Sequence, residues 1–220
     1  MHSIKWVHVS TNEGINMPTV TEAIQSRFSA HSYDPTHVLS AQEIAALIDL
    51  ARHAPSAFNL QNWRFIAVHT NEAKAKLLPL AYGQQKVVDA AVTFIVCGEL
   101  DPHKTISGSL RPAVDAGILD EATFAGWVGA VEGMYAQNPA MQRDEAVRSA
   151  SLAAMTLMMV ATERGLASTP MIGFDQAGVA EAFNLEDREI PVMMITVGRA
   201  GTTNWPQKPR KATSDILSIV

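Results

Sequence analysis

Along the chain the hydrophobic positions change period several times, and each change marks an element. Ile44, Leu47, Ile48 and Ala51 recur at helical spacing. The Ser40-Ala41-Gln42-Glu43 stretch ahead of them fits a capping box, in which the serine accepts a backbone N–H and the glutamate reaches back. Pro55 ends that helix. Trp63–Val68 then predicts a short strand, Asn71–Leu78 a helix, and the apolar run Ala91–Val96 a buried strand. Asp120 is placed to cap a helix carrying Phe124, Trp127, Val128 and Val131 on one face, with Phe124 and Trp127 open to two readings, pocket wall or core packing. Gly126, Gly129 and Gly133 share that helix and predict close helix packing. Asp144–Arg164 is the longest helical segment, stopped by Gly165, and Leu152 to Val160 make it apolar nearly all round. Such a helix is buried on every side, and in a chain this size the expectation is a subunit interface. A last helix, Gln176–Phe183, and a strand, Pro191–Gly198, close the ordered body.

Helices interleave with a few strands without regular strand–helix alternation, which predicts an α+β sandwich of helices around a small central sheet. Met17-Pro18 ahead of a helical pattern predicts a single domain over 17–220, with residues 1–16 an unstructured extension. From Arg199 to Lys211 the tail holds four positive residues, no acidic ones and two prolines. That composition predicts an arm, about 199–220, lying over a surface or a partner chain.

Composition narrows the function classes. A 220-residue chain that is 47% hydrophobic and 18% charged is globular and long enough for one well-buried core. Its net charge of -5 argues against a protein that wraps nucleic acid. The single cysteine, Cys97, excludes an intramolecular disulfide and multi-cysteine metal sites, and its apolar surroundings predict a small buried hydrophobe. The longest uncharged stretch considered for a membrane span, Ser149–Thr162, falls short of the roughly 20 residues that a span needs. Met1–Asn16 lacks a signal-type apolar core, so a cytoplasmic location is expected.

Familiar catalytic signatures are missing: no phosphate-binding glycine loop, no nucleophile elbow, no His-Glu-x-x-His, and histidines scattered without metal-ligand spacing. Three segments stand out instead. Arg27-Phe28-Ser29-Ala30-His31, just after a short helix, offers a guanidinium whose planar fork matches a phosphate; a solvated turn is the other reading. Ala54 to Trp63 places hydroxyl and amide side chains where a helix gives way to a strand, either a site or an ordinary connection. Ser168 to Asp175 holds a Pro-x-x-Gly loop able to present backbone N–H groups.

Taken together and in this order, these segments resemble the FMN-dependent nitroreductase family over nearly the whole chain. Arg27-x-Ser29 looks like the family's first flavin- and phosphate-contacting element, joined by Phe28 and His31. The stretch Pro55-Ser56-x-x-Asn59-x-Gln61-x-Trp63 is similar to its most recognisable signature. Gln84 and Lys86 fall where the family contacts the flavin's pyrimidine side. Pro170-Met171-Ile172-Gly173 looks like the loop over the flavin that supplies a backbone N–H near N5, and Lys208-Pro209-Arg210 resembles the tail element that returns to the phosphate. The resemblance implies an interlocked homodimer with a mixed or antiparallel sheet, and FMN bound at the subunit interface by Arg27, Arg210 and the residues just named. It also implies NAD(P)H as electron donor, a small-molecule acceptor such as a nitroaromatic or quinone, and two hydride half-reactions with no side-chain acid–base pair and no metal. Three positions depart from the pattern: His31 stands where many members have Arg or Lys, Gly83 where Asn is common, and Ile172 where some have Glu. Enone reductase, dehydrogenase and dehalogenase-like chemistry stay open within the superfamily. Readings of other classes are a non-catalytic flavin-binding protein and a structural helical dimer.

Overall fold

A computed structural model describes residues 18–220; the expectation for residues 1–16 lies outside them. Local chemistry starts most helices. Thr19 and Glu22 form a capping box for α1 (Val20–Ser26), and Ser40 and Glu43 form the expected one for α2 (Ala41–Ala51). Thr70 caps α3 (Asn71–Leu80), Asp120 caps α6 (Glu121–Tyr135), and Asp175 caps α8 (Gln176–Ala182), each accepting a backbone N–H three residues on. A single turn, α4 (Lys86–Asp89), follows α3. The helix α5 (Pro102–Asp115) had no counterpart in the hydrophobic pattern, because Gly108 and Pro112 inside it read as breakers. The long α7 spans Pro139–Glu163, starting earlier than expected because Asn138 caps it and Pro139 occupies its first position.

Four strands, β1 (Trp63–Val68), β2 (Val92–Glu99), β3 (Ala167–Met171) and β4 (Glu189–Gly198), pair antiparallel in the order β1-β2-β4-β3. β3 occupies half of what reads in sequence as a loop. Its Pro170 is tolerated because β3 is an edge strand. Alternate residues of β2 face opposite sides: Val92, Phe94 and Val96 meet α2 and α7, while Ile95 and Cys97 meet Leu77 and Val179 of α3 and α8. The result is a sheet covered by helices on both faces, an α+β sandwich. Burial of Cys97 pushes its thiol up to about 12.

Two expectations are corrected here. The apolar α7 is not held for an interface along its whole surface: Ala150, Ala154, Leu157 and Ala161 pack in this chain's own core against α2 and the sheet. Small residues allow that approach; a Cβ at Gly98 would lie 2.6 Å from the Ala146 carbonyl oxygen. The large hydrophobic side chains of α7 that stay exposed are Met141 near its start and the stripe at Leu152 and Met155. The glycines of α6 do not pack closely within the chain, since a Cβ at Gly126, Gly129 or Gly133 would meet nothing within 4 Å.

Candidate functional site

Arg27 leaves the end of α1 with extended backbone, and an isolated parallel bridge from Ser29 to Ser168 lays the next residues along the free edge of β3. Thr169 Oγ1 donates to the Ala30 carbonyl (2.6 Å), and the Ala30 N–H donates to the Ser168 carbonyl (3.3 Å). The arm after β4 then returns over this segment. Gln207 Nε2 donates to the Arg27 carbonyl (2.8 Å), and Arg27, Phe28, Ser29, Lys208 and Arg210 line one cleft with Trp205. At about 80 Å³ the cleft is far below the roughly 300–1,000 Å³ of a whole small-molecule pocket, and suits a single anionic group.

Electrostatically the cleft is primed for an anion. Arg27 has a buried Nη1 with no hydrogen-bond partner, and no acid pairs with Arg27, Lys208 or Arg210 among the described residues. Burial, and then the positive charge of Arg210, hold the Arg27 guanidinium below its usual range. Two guanidiniums brought together, one with an orphaned N–H, are what a phosphate would bridge with charge-assisted bonds.

Two further segments converge on this edge of the sheet. At the end of β3, Met171 buries its side chain in the core, leaving its backbone for any ligand contact, whereas Pro170 and Ile172 are exposed. Gln84 Nε2 donates to the Gly173 carbonyl (2.8 Å), while the Gly173 N–H has no acceptor among the described residues. Lys86 opens α4, whose following residue Ala90 packs with Phe28, Ala30 and Tyr33. His31 does not line the cleft itself; its ring stacks at 4.7 Å on Trp205, which does.

Pro55, Ser56 and Asn59 are elsewhere. Their segment packs on Leu60, Ile106, Leu110 and Tyr135, beside α5 and α6, and no hydrogen bond among the described residues joins it to Arg27, Gln84 or Gly173. Phe58, Asn59 and Gln61 all have φ near +50°, conformations costing on the order of 1–3 kcal/mol each. Ser56 Oγ accepts the Gln61 N–H (2.9 Å), which holds the turn closed. Phe58 meets Trp127 edge-on at 5.8 Å, so Trp127 packs against this loop, and Phe124 lies under the Arg111 guanidinium. The hydrophobic pattern missed Asn204, Trp205 and Gln207. The one sequence signal for them is a tryptophan in an otherwise polar, basic tail.

Fold and site together define an α+β sandwich with a two-arginine anion cleft at its sheet edge and a strained polar loop on a second surface. The family model for the nitroreductase family matches residues 24–199, and the chain belongs to that family. It is 33% identical over 184 residues to "Putative NAD(P)H nitroreductase YodC" of Bacillus subtilis, covering 84% of this chain and 91% of that one. A crystal structure from Exiguobacterium sibiricum, described as a "putative nitroreductase in complex with FMN", superposes with a TM-score of 0.84 at 30% identity, covering 96% of this chain and all of that one. The CLA biosynthesis enone reductase of Lactiplantibacillus plantarum is 26% identical over 185 residues, 82% of this chain and 85% of its own. Among the described residues no helix is long and apolar enough to cross a membrane.

Proposed function

We propose that the chain is an FMN-dependent oxidoreductase that takes electrons from NADH or NADPH and delivers them to a nitroaromatic, quinone or related small acceptor. The observation that carries this reading is the buried, unpartnered Nη1 of Arg27 held against Arg210. The FMN complex of the Exiguobacterium relative supports phosphate as the missing partner. When bound, FMN supplies the hydride chemistry that no side-chain pair here provides. The protein's part is to bind, orient and polarise. Arg27 and Arg210, with Lys208 and Ser29, neutralise and seat the phosphate. Gln84 fixes the Gly173 carbonyl, which leaves the Gly173 N–H free to face a ligand, and Lys86 supplies positive charge at the far end of the site.

The second group of residues, Pro55, Ser56 and Asn59, belongs to a segment packed beside α5 and α6 and does not line the Arg27 cleft, so this reading includes a homodimer in which a partner brings that segment to the cofactor at the interface. Exposed Val20 and Ile24 of α1, Leu152 and Met155 of α7, and Ile216, Leu217 and Ile219 of the tail are apolar surface that a partner would cover. Resemblance to the enone reductase favours an enone as the second acceptor class.

The test is an absorbance spectrum of the purified protein before and after anaerobic addition of NADPH. A bound flavin that bleaches is expected. A colourless protein that takes up no added FMN sinks the reading, and a yellow one that no pyridine nucleotide bleaches makes it a flavin carrier. Each arginine contributes charge-assisted bonds of roughly 1.5–3 kcal/mol, so Arg210→Ala is expected to raise the FMN Kd by about 10–100-fold. Equal flavin content in variant and parent after dialysis would remove Arg210 from the site.

A further inference from the structure

Arg210 lies far along a tail whose residues from 205 onward are exposed, yet it reaches the buried end of Arg27. Between β4 and Arg210, Asn204 makes more hydrogen bonds to the turn after Arg27 than any other side chain, and Gln207 adds its bond to the Arg27 carbonyl. Asn204 Oδ1 accepts two backbone N–H groups, from His31 (2.7 Å) and Ser32 (3.0 Å). Its Nδ2 donates to the Ser32 carbonyl and to the Gly201 carbonyl, both at 3.0 Å. All four hydrogen bonds join the start of the arm to the turn just after Arg27, or close the arm on itself. The next residue extends the link: the Trp205 indole stacks on the His31 ring with 25° between planes, and Lys208 Nζ sits 5.5 Å from its centroid. Gly201 meets Ser32 closely enough that a Cβ there would lie 2.7 Å from Ser32 Oγ.

This arrangement does something the arginines cannot do for themselves. Like charges separate unless something else holds them, and no acid lies between Arg27 and Arg210. Asn204 supplies neutral hydrogen bonds, insensitive to salt and pH, on the backbone that carries Arg27. We propose that Asn204, with Trp205 and His31 as its stacked extension, is the positioning residue of the phosphate cleft: it clips the arm to the Arg27 turn so that Lys208 and Arg210 face the anion. His31 then acts by holding the arm through Trp205, and its place in a position often cationic in the family is explained by a flat ring that can stack. The proposal rests on the phosphate reading of the cleft.

Equilibrium titration of the apoprotein with FMN and with riboflavin, which lacks the phosphate, separates the two. The parent is expected to prefer FMN; a parent that binds both equally overturns the phosphate reading and this proposal with it. With the parent preference in hand, Asn204→Ala is expected to weaken FMN by about tenfold, the worth of roughly 1.4 kcal/mol, and to leave riboflavin unchanged. Because Asn204 acts through Lys208 and Arg210, adding Asn204→Ala to the Lys208→Ala, Arg210→Ala double variant is expected to weaken FMN no further. Losses that add, or a riboflavin affinity that falls in step with FMN, overturn the positioning role. Trp205→Ala repeats the measurement at a side chain that is 58% exposed, and Trp205→Phe, which keeps a stacking face, is expected to restore most of the affinity. A Phe variant as weak as the Ala variant would remove stacking from the clip.

Discussion

Gly83 sits at φ +71°, between Tyr82, itself at φ +53°, and Gln84, whose amide holds the Gly173 carbonyl. The left-handed region is open to glycine and next most readily to asparagine, so the departure from Asn at this position preserves the backbone and sacrifices only a side chain. A Cβ there would touch nothing, which isolates the backbone effect. Gly83→Asn is therefore expected to lower stability by only a few tenths of a kcal/mol, and Gly83→Val by about 1–2 kcal/mol, read from denaturant midpoints. Equal losses would show that the turn does not demand a left-handed residue. Arg27 belongs at the same level: its residue type and its place beside Ser29 were legible in sequence. Asn204 was not, because an asparagine in a tail looks the same whether it caps nothing or bonds to residues more than 170 positions away.

Among the helices, α6 carries the clearest mismatch between pattern and packing. Its glycines read as a contact face, yet Gly126, Gly129 and Gly133 all look into open space. Glycine in an exposed helix interior costs about 0.5–1 kcal/mol relative to alanine through backbone entropy. Gly129→Ala is expected to raise stability by about that much, measured by chemical denaturation. A loss of stability would mean that this face is covered in the assembled protein. The C-terminal end of α6 is nonetheless pinned through its opposite, buried face. Tyr135 donates to the buried Glu145 carboxylate of α7 (3.2 Å), which also accepts from Ser149 Oγ (3.0 Å) and pairs with Arg148. A buried carboxylate so surrounded fixes the angle at which the α5–α6 excursion leaves the body, and with it the Phe58 loop.

At the level of the molecule, the proposed site has two parts, the Arg27 cleft and the Asn59 segment packed beside α5 and α6, which the proposed homodimer would join. If the Asn59 segment of one protomer completes the Arg27 cleft of its partner, an Arg27→Ala chain and an Asn59→Ala chain refolded together form one doubly altered site and one intact site. Recovery of reductase activity to about a quarter of the parent is expected from random pairing in a dimer; no recovery would place both parts in the same chain. Alkaline stability is a second whole-molecule property. Burial pushes Tyr33 and Tyr135 up to about 12, as it does Cys97. In the unfolded chain these groups lose their protons near their ordinary values of 9 to 10, so between there and about 12 the unfolded state binds fewer protons. The stability they contribute is complete below pH 9 and lost as pH rises towards 12. Melting temperature is expected to fall across that window, with both tyrosinates appearing only on unfolding. Tyrosinate absorbance that develops in the native state would contradict it.

Periodicity and caps reported faithfully on several features settled within about four positions along the chain: the Ser40 and Asp120 caps, the α2 and α6 stripes and the β2 core run. These depend on side chains meeting their own neighbours, which any helix or strand arranges in the same way. The folded chain alone decided that α7 is absorbed by its own core, that Pro170 lies on a sheet edge, and that Arg27 and Arg210 share a cleft. Those outcomes depend on which strand lies beside which and in what register. The bridge from Ser29 to Ser168, followed by the return of the arm over residues 31 and 32, brings the two guanidiniums together across more than 180 positions of chain.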